Sequence, residues 1–528
     1  MRVAIDVVPI RPGGQIGGAS HLVCELIAGL ATQYKEDKFI LLTGDWNHDF
    51  FQPFEQYGVE RVCIASSMSS TKKPLFTYLS KKLISRVSDY LKKGLKIKQR
   101  TRVLKDCNID VLLCAMSATT NAEPGIPTVS LIYDIQHEFY PQFFSQQELN
   151  HRRSFYKEIC ATADAIICIS QFTKDTFINK LNYPSDKAYV IHISIQDRIA
   201  FPEPDKITTV LKKYNLEKIE YGYFPANFWP HKNHQILLTA YAMFLKQNPN
   251  TNMHMVFTGA LLETNQIIRD AVQQMGLSEK VHFLGYVPED DLSAILAGCR
   301  FLIFPSLFEG FGIPVAEAMS FGKPVLCSNV TSLPEVGGDA ALYFDPRRPS
   351  EIVTVIERVL ADSCLNNHLI TAGFKQAEKF NKIEMINKYR SILHNVAVSG
   401  GGNAFKAEGI YGDGWTGSVV EFTSGNTTKG NVFEIEMFNP GPFSNVVVIY
   451  RVNNIQKAKY TVKSGEKRLI SQILPDSVSE IEVLINPTYN PSDNGSEDGR
   501  DLGLQVQRAE IINAQTGVLI KSIFEPNS

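Results

Sequence analysis

The chain has 528 residues, 44% of them hydrophobic and 20% charged, which points to about three packed domains and excludes a disordered or low-complexity scaffold. Lys plus Arg (53) against Asp plus Glu (55) leaves a formal charge of −2, excluding a globally basic nucleic-acid binder but not a local patch. The 9 cysteines are odd in number and form no C-x-x-C pair, so a reducing compartment and no structural zinc are expected.

Taken in chain order, the first residues run directly into a strand pattern with no charged leader, so no secretion signal is expected. Apolar runs such as 111–116 and 301–304 fall far below the roughly 20 residues of a spanning helix. Short apolar runs at 3–8, 39–43, 111–114, 129–132 and 165–169 alternate with helical patterns such as 19–30. That rhythm predicts β-α units around a largely parallel sheet, a Rossmann-like domain over 1–200. A second such domain is expected over 201–398, with strands near 221–226, 253–258, 281–284, 300–304, 325–328 and 341–344. After Ser399-Gly400-Gly401-Gly402 the pattern changes to alternating β segments at 418–423, 432–438, 446–452, 459–462 and 481–485, read as a β-sandwich over 405–528. The expected fold class is thus α/β, two Rossmann-like domains facing across a cleft, with a C-terminal all-β sandwich. Trp415 and Tyr450 are read as aromatic residues of the sandwich core.

Ligands of open α/β sheets sit beyond the carboxyl ends of the strands, and the informative residues lie there. Pro12-Gly13-Gly14-Gln15-Ile16-Gly17-Gly18 follows a strand and opens a helix but is not G-x-G-x-x-G, so it fits a phosphate-approach loop better than a dinucleotide fold. Phe304-Pro-Ser-Leu-Phe-Glu309-Gly310-Phe311-Gly312-Ile-Pro314-Val-Ala-Glu317 places a glycine turn and a proline at a helix start, a site that favours anions. Two carboxylates beside an anion site suit sugar hydroxyls; taken singly, Glu309 is also readable as a loop charge and Glu317 as a helix-start charge. In Asn227-Phe-Trp-Pro-His231-Lys232, Lys232 is suited to neutralise charge developing on a diphosphate leaving group; taken by itself the segment reads as an ordinary surface lysine before a helix.

Glu309 and Glu317 with seven residues between them, within F-E-G-F-G-I-P-V-A-E-A-M-S-F-G-K-P-V, resemble the E-x7-E signature of retaining GT-B glycosyltransferases, the glycogen-synthase-like family 4. The resemblance spans roughly 1–395, is strongest over 224–345, and includes mannosyl transferases acting on surface polysaccharide. It implies Glu309 at the transferred hexose, Glu317 at the ribose, and the amides of Gly310, Phe311 and Gly312 facing sugar and diphosphate. Gly17 and Gly18 would border the phosphates, Gly259 is a donor-side turn, and backbone near Val287 would pair with the nucleobase. Relatives usually carry an arginine where this chain has Asn227, so His231 or a residue of the other domain would complete the diphosphate site. Many relatives also read His-Asp at Tyr133-Asp134 and place the histidine at the sugar's sixth carbon. Either the Tyr133 hydroxyl takes over, or His137 reaches in, or the donor is altered there. Ser170 is read first as a helix cap.

The resemblance implies transfer from a nucleotide-diphosphate sugar, GDP-mannose favoured over UDP-hexose, to a glycan or lipid-linked acceptor on the first domain. The catalytic set would be Glu309, Lys232, Asp134 and His137, with the diphosphate taking the acceptor's proton; no cofactor and no metal are expected, as no D-x-D motif lies near the cleft strands. Rival readings are a GT-B phosphorylase or epimerase, a glycan-binding adaptor with a vestigial cleft, and a nicotinamide enzyme. Between residues 72 and 105, 12 Lys or Arg face Asp89 alone among acidic residues, with apolar residues at helical spacing. This basic amphipathic segment fits an anionic membrane surface as well as a solvated face, so a cytoplasmic protein with peripheral membrane contact is expected. Asp493, Glu497, Asp498 and Asp501 read as a solvated acidic loop or a calcium cluster.

Overall fold

The computed structural model describes residues 1–12, 18–66, 103–123, 125–194, 198–260, 265–399, 406–410, 416–423, 431–440, 443–452, 455–474, 480–488, 502–513 and 519–524. Seven parallel strands, β1 (Arg2–Asp6), β2 (Lys38–Gly44), β3 (Glu60–Ala65), β4 (Val111–Cys114), β5 (Thr128–Ile132), β6 (Ala165–Cys168) and β7 (Ala188–Val190), form the first sheet in the order β3-β2-β1-β4-β5-β6-β7. Every residue of β4, β5 and β6 is buried. β4 and β6 read as unbroken apolar runs, as expected of strands buried on both faces, and β5 interrupts the pattern only with the buried hydroxyls of Thr128 and Ser130. The helices of this domain include α1 (Gly18–Gln33), α2 (Gln146–Thr162) and α3 (Gln171–Leu181). On α1, Leu22, Leu26 and Leu30 are buried at helical spacing, each worth about 1.5–3 kcal/mol.

The second sheet repeats the plan with β8 (Glu220–Pro225), β9 (Met253–Thr258), β10 (Val281–Gly285), β11 (Phe301–Phe304), β12 (Val325–Ser328) and β13 (Ala341–Phe344), ordered β10-β9-β8-β11-β12-β13 and parallel throughout. Its helices include α4 (His234–Gln247), α5 (Glu289–Gly298) and α6 (Ile313–Ser320). In both sheets the chain leaves the central strand toward one edge and returns beside it, between β1 and β4 and between β8 and β11. A crevice opens beyond the carboxyl ends of strands at such a switch point.

Helix α7 (Lys382–Val398) crosses back to the first domain. Lys382 pairs with Glu25, Arg390 Nε lies 3.1 Å from Asp37 Oδ2, and a Cβ on Gly29 would come within 2.6 Å of Ile386 Cδ1. Beyond it, antiparallel sheets of five and four strands share one core containing Phe422, Phe433, Ile435, Val448 and Tyr450. Tyr450 is fully buried, as read from sequence; Trp415, the acidic cluster at 493–501 and residues 72–102 of the basic segment lie outside the described residues.

Candidate active site

The switch point of the second sheet brings the two central charges together. Lys232 follows β8 and Glu309 follows β11, and the two strands are paired neighbours, with Leu302 opposite Tyr223. Lys232 Nζ donates to Glu309 Oε1 at 2.6 Å. Both side chains are largely but not wholly buried, at 17% and 12% exposure, so the pair keeps an opening to the cleft. Lys232 Nζ also stands 5.3 Å above the ring of Phe304, whose face favours a cation.

The loop after β5 meets this pair from across the cleft. Burial raises the Asp134 carboxyl pKa; the Gln136 amide and Arg152 oppose the rise, Glu309 adds to it, and Lys232 opposes it. Asp134 therefore belongs to the same electrostatic cluster as Glu309 and Lys232. Its neighbour Tyr133 does not: the phenol donates to the Ala115 carbonyl at 2.9 Å, so its hydroxyl is directed into its own domain. His137 is 1% exposed and stacks on Tyr156 at 5.2 Å. Burial pulls its pKa down to about 4, with Glu138 opposing and Arg152 and Arg153 assisting. His137 thus packs against Tyr156 of α2, and the charges that act on it are those of Glu138, Arg152 and Arg153.

The glycine turn has a distinct constraint at each position. A Cβ on Gly310 would lie 2.1 Å from the Tyr133 carbonyl oxygen. Gly312 holds φ +109 as the cap of α6, with Leu333 Cδ2 at 2.6 Å from where a Cβ would sit. Phe311 packs its ring against Phe380 at 5.3 Å, and its carbonyl accepts from Ser332 Oγ at 2.9 Å. Among the described residues no hydrogen bond engages the amides of Gly310, Phe311 or Gly312, so they stand ready for an anion at the helix start. Gly18 opens α1 opposite this helix, with Ile313 Cδ1 at 2.5 Å from where its Cβ would be. Gly17 lies outside the described residues.

The remaining positions expected on the donor side are also located. Asn227 Oδ1 accepts from the Ala260 amide at 2.7 Å, which folds the turn at Gly259, where a Cβ would meet the Ala226 carbonyl oxygen at 2.4 Å. Burial and then Lys232 pull the His231 pKa down to about 4, against Glu309. Val287 is buried just past the end of β10. Glu317 on α6 is also buried, and Arg198 Nε donates to its Oε1 at 2.7 Å.

The site depends on how the domains close, which the motifs did not disclose. Ser170 caps α3 as expected, accepting from Thr173 N at 3.1 Å, and also donates to the Gly310 carbonyl at 2.7 Å. Glu335 of the second domain accepts from the Gln171 and Phe172 amides at 2.7 and 3.1 Å and lies 2.6 Å from His192 Nε2. Burial raises its pKa, but those bonds outweigh burial and hold it below the ordinary carboxylate range. Phe308 is seated between Phe139 and Phe172, at 5.3 and 5.8 Å. Removing the clasp in Glu335→Ala is expected to destabilise the protein by about 2 kcal/mol near neutral pH, measured by denaturant unfolding. With a depressed folded pKa, the carboxylate's contribution is present above its unfolded pKa and lost as pH falls through the folded one. The mutant's deficit should therefore shrink in acid; a deficit constant with pH would contradict this account.

Comparison with known proteins follows the same division. Residues 208–376 match the model described as glycosyl transferases group 1, and residues 16–196 match glycosyltransferase family 4. The chain is 30% identical over 266 residues to O-antigen chain mannosyltransferase B of Escherichia coli, covering 50% of this chain and 70% of that one. It is 31% identical over 254 residues to the serotype-specific mannosyltransferase WbdA of the same organism, there spanning 46% of this chain and 31% of the relative. Anabaena HepE in complex with UDP and glucose superposes with a TM-score of 0.55 at 17% identity, over 75% of this chain and 100% of that chain. WaaG, a glycosyltransferase involved in lipopolysaccharide biosynthesis, gives 0.54 at 15% identity, over 74% and 99%.

Proposed function

Because this chain belongs to the group 1 glycosyltransferases and is a hexosyltransferase, we propose that it moves mannose from GDP-mannose to a glycan or lipid-linked acceptor in surface-polysaccharide synthesis, with retention of configuration. The observation that carries this reading is the Lys232–Glu309 pair at the switch point, beside unengaged amides of the glycine turn. Mannose is favoured by the names of the curated relatives, both mannosyltransferases. UDP, the ligand of HepE, makes a UDP-hexose the competing donor.

In this reading the diphosphate lies at Lys232 and the amides of Gly310, Phe311 and Gly312, with Gly18 bordering it. Glu317 accepts from the ribose hydroxyls, backbone near Val287 meets the base, and Glu309 accepts from the hexose hydroxyls. The bond from the sugar's anomeric carbon to the diphosphate breaks, and the acceptor oxygen bonds to that carbon on the same face. The acceptor's proton passes to the departing phosphate oxygen, and nucleoside diphosphate leaves. Lys232 and the helix dipole stabilise the charge that develops on it, while Asp134 faces the acceptor side. Cytoplasmic placement, with peripheral membrane contact through residues 72–105, belongs to the same proposal.

Purified protein is to be screened by thermal shift against GDP-mannose, UDP-glucose and other nucleotide sugars; a donor at a hundred times its Kd adds about 2.7 kcal/mol. Stabilisation by GDP-mannose with release of GDP on acceptor addition is the expected result, and stabilisation by a UDP-sugar alone would overturn the choice of donor. With Lys232 supplying the cation, transfer is expected to persist in excess chelator. Loss of activity that a divalent ion restores would contradict that.

A further inference from the structure

A cation that no motif points to joins the donor side of the cleft. Arg198 lies on the linker after β7, and its guanidinium bridges two carboxylates of the second domain: Nε to Glu317 Oε1 at 2.7 Å and Nη1 to Glu289 Oε1. Glu289 begins α5, two residues after Val287, and its Oε1 is also 3.2 Å from His21 Nε2 on α1. A chain of four side chains therefore runs from α6 through the linker and α5 to the first domain. Arg198 is 18% exposed and Glu317 4%, so this is a sheltered pair rather than a surface ion pair. A planar guanidinium presents its N–H groups in a fixed fork, which can hold two carboxylates in a set geometry where an ammonium cannot.

We infer that Arg198 is a positioning residue for nucleoside recognition, orienting the Glu317 carboxylate toward the donor's ribose hydroxyls. The inference rests on the reading of Glu317 as the ribose acceptor. Arg198 engages Oε1, and among the described residues none donates to Oε2, which leaves that oxygen for a ligand hydroxyl. The groups facing Glu317 are Arg198 from the linker, Glu289 from α5 and the buried Tyr223 from β8. Burial raises the pKa of Glu317 and Glu289 adds to that, while Arg198 opposes both. Without Arg198 the carboxyl protonates at higher pH and loses acceptor capacity.

The test is calorimetric titration of GDP and UDP, each with its 2′,3′-dideoxy form, into full-length wild type, Arg198→Met, Arg198→Lys and Glu317→Gln. Wild type is expected to prefer the ribose form by about tenfold or more, and Glu317→Gln to lose most of that preference at every pH. Arg198→Met is expected to lose more of it at the acid end of a pH series than at the alkaline end, because without the guanidinium burial and Glu289 favour the protonated carboxyl. Arg198→Lys keeps the charge without the fork, so it should lose about threefold of the preference with little shift in its pH dependence; it carries the test if Arg198→Met fails to fold. Loss in Glu317→Gln with full preference in both Arg198 variants overturns the role of Arg198 and leaves the ribose reading standing. An equal loss at all pH values in Arg198→Met shows a merely structural residue and also overturns it. No preference in wild type, or no nucleotide binding, overturns the ribose reading and this inference together.

Discussion

Lys232→Ala is expected to lower kcat for sugar transfer by about 10³-fold, with a smaller rise in donor KM. The ammonium stands at the end of β8 where the leaving diphosphate would gather charge, and an interaction that strengthens as charge develops is lost mainly from kcat. Removing it also leaves Glu309, at 12% exposure, without its partner at 2.6 Å, and an unpaired carboxylate in a sheltered site is destabilising. Lys232→Ala with Glu309→Gln separates the two effects: the double variant should recover stability and not activity. Lys232→Arg should restore little, because a planar fork does not reproduce a compact ammonium above the Phe304 ring. Measured steady-state kinetics showing Lys232→Ala within a few-fold of wild type would remove the leaving-group role and with it the reading of the cleft.

Much of this site was legible because its residues are local in sequence. Glu309 through Glu317 lie on one strand-turn-helix unit, and Lys232 follows the neighbouring strand, so spacing and punctuation sufficed. The alternation of apolar runs likewise revealed two parallel sheets, since strands covered on both faces have no polar register to confuse the pattern. Residues whose role is set by tertiary contact were hidden. Arg198 lies in a linker without periodicity, and nothing local indicates that it meets Glu317 and Glu289. Helix α7 announces an amphipathic stripe but not which domain the stripe will cover; its contacts with Glu25 and Asp37 place it on the first. His137 and Tyr133 show the converse. Both sit in a segment rich in polar side chains, yet Tyr156, 19 residues beyond His137 in the chain, stacks on the histidine, and the Ala115 carbonyl takes the phenol's hydrogen bond. Their orientation was decided by partners that spacing does not encode.

The second large effect comes from a methyl group. Gly310→Ala is expected to reduce kcat by about 10²-fold, the scale of loss when reacting groups are displaced by about 1 Å. The added Cβ would stand 2.1 Å from the Tyr133 carbonyl oxygen and 3.3 Å from Asp134 Cβ. Backbone cannot yield as a flexible side chain does, so the loops after β5 and β11 must separate. That separation strains the Ser170 bond to the Gly310 carbonyl at 2.7 Å and pulls Glu309 away from the Asp134 side of the cleft. Gly310 is not among the glycines with positive φ, so alanine there meets a neighbour rather than an unfavourable backbone conformation. It also keeps the amide N–H that would face the diphosphate. Nucleotide affinity should thus change much less than kcat, a division that a collapsed binding site would not produce. Gly312→Ala differs, because φ +109 strains any side chain and disturbs the start of α6 itself, lowering nucleotide affinity and kcat together. Calorimetry beside steady-state kinetics on the two variants checks the contrast, and solution scattering should report a more open Gly310→Ala. Equal losses of affinity in both variants would show that Gly310 serves the nucleotide rather than the meeting of the two domains.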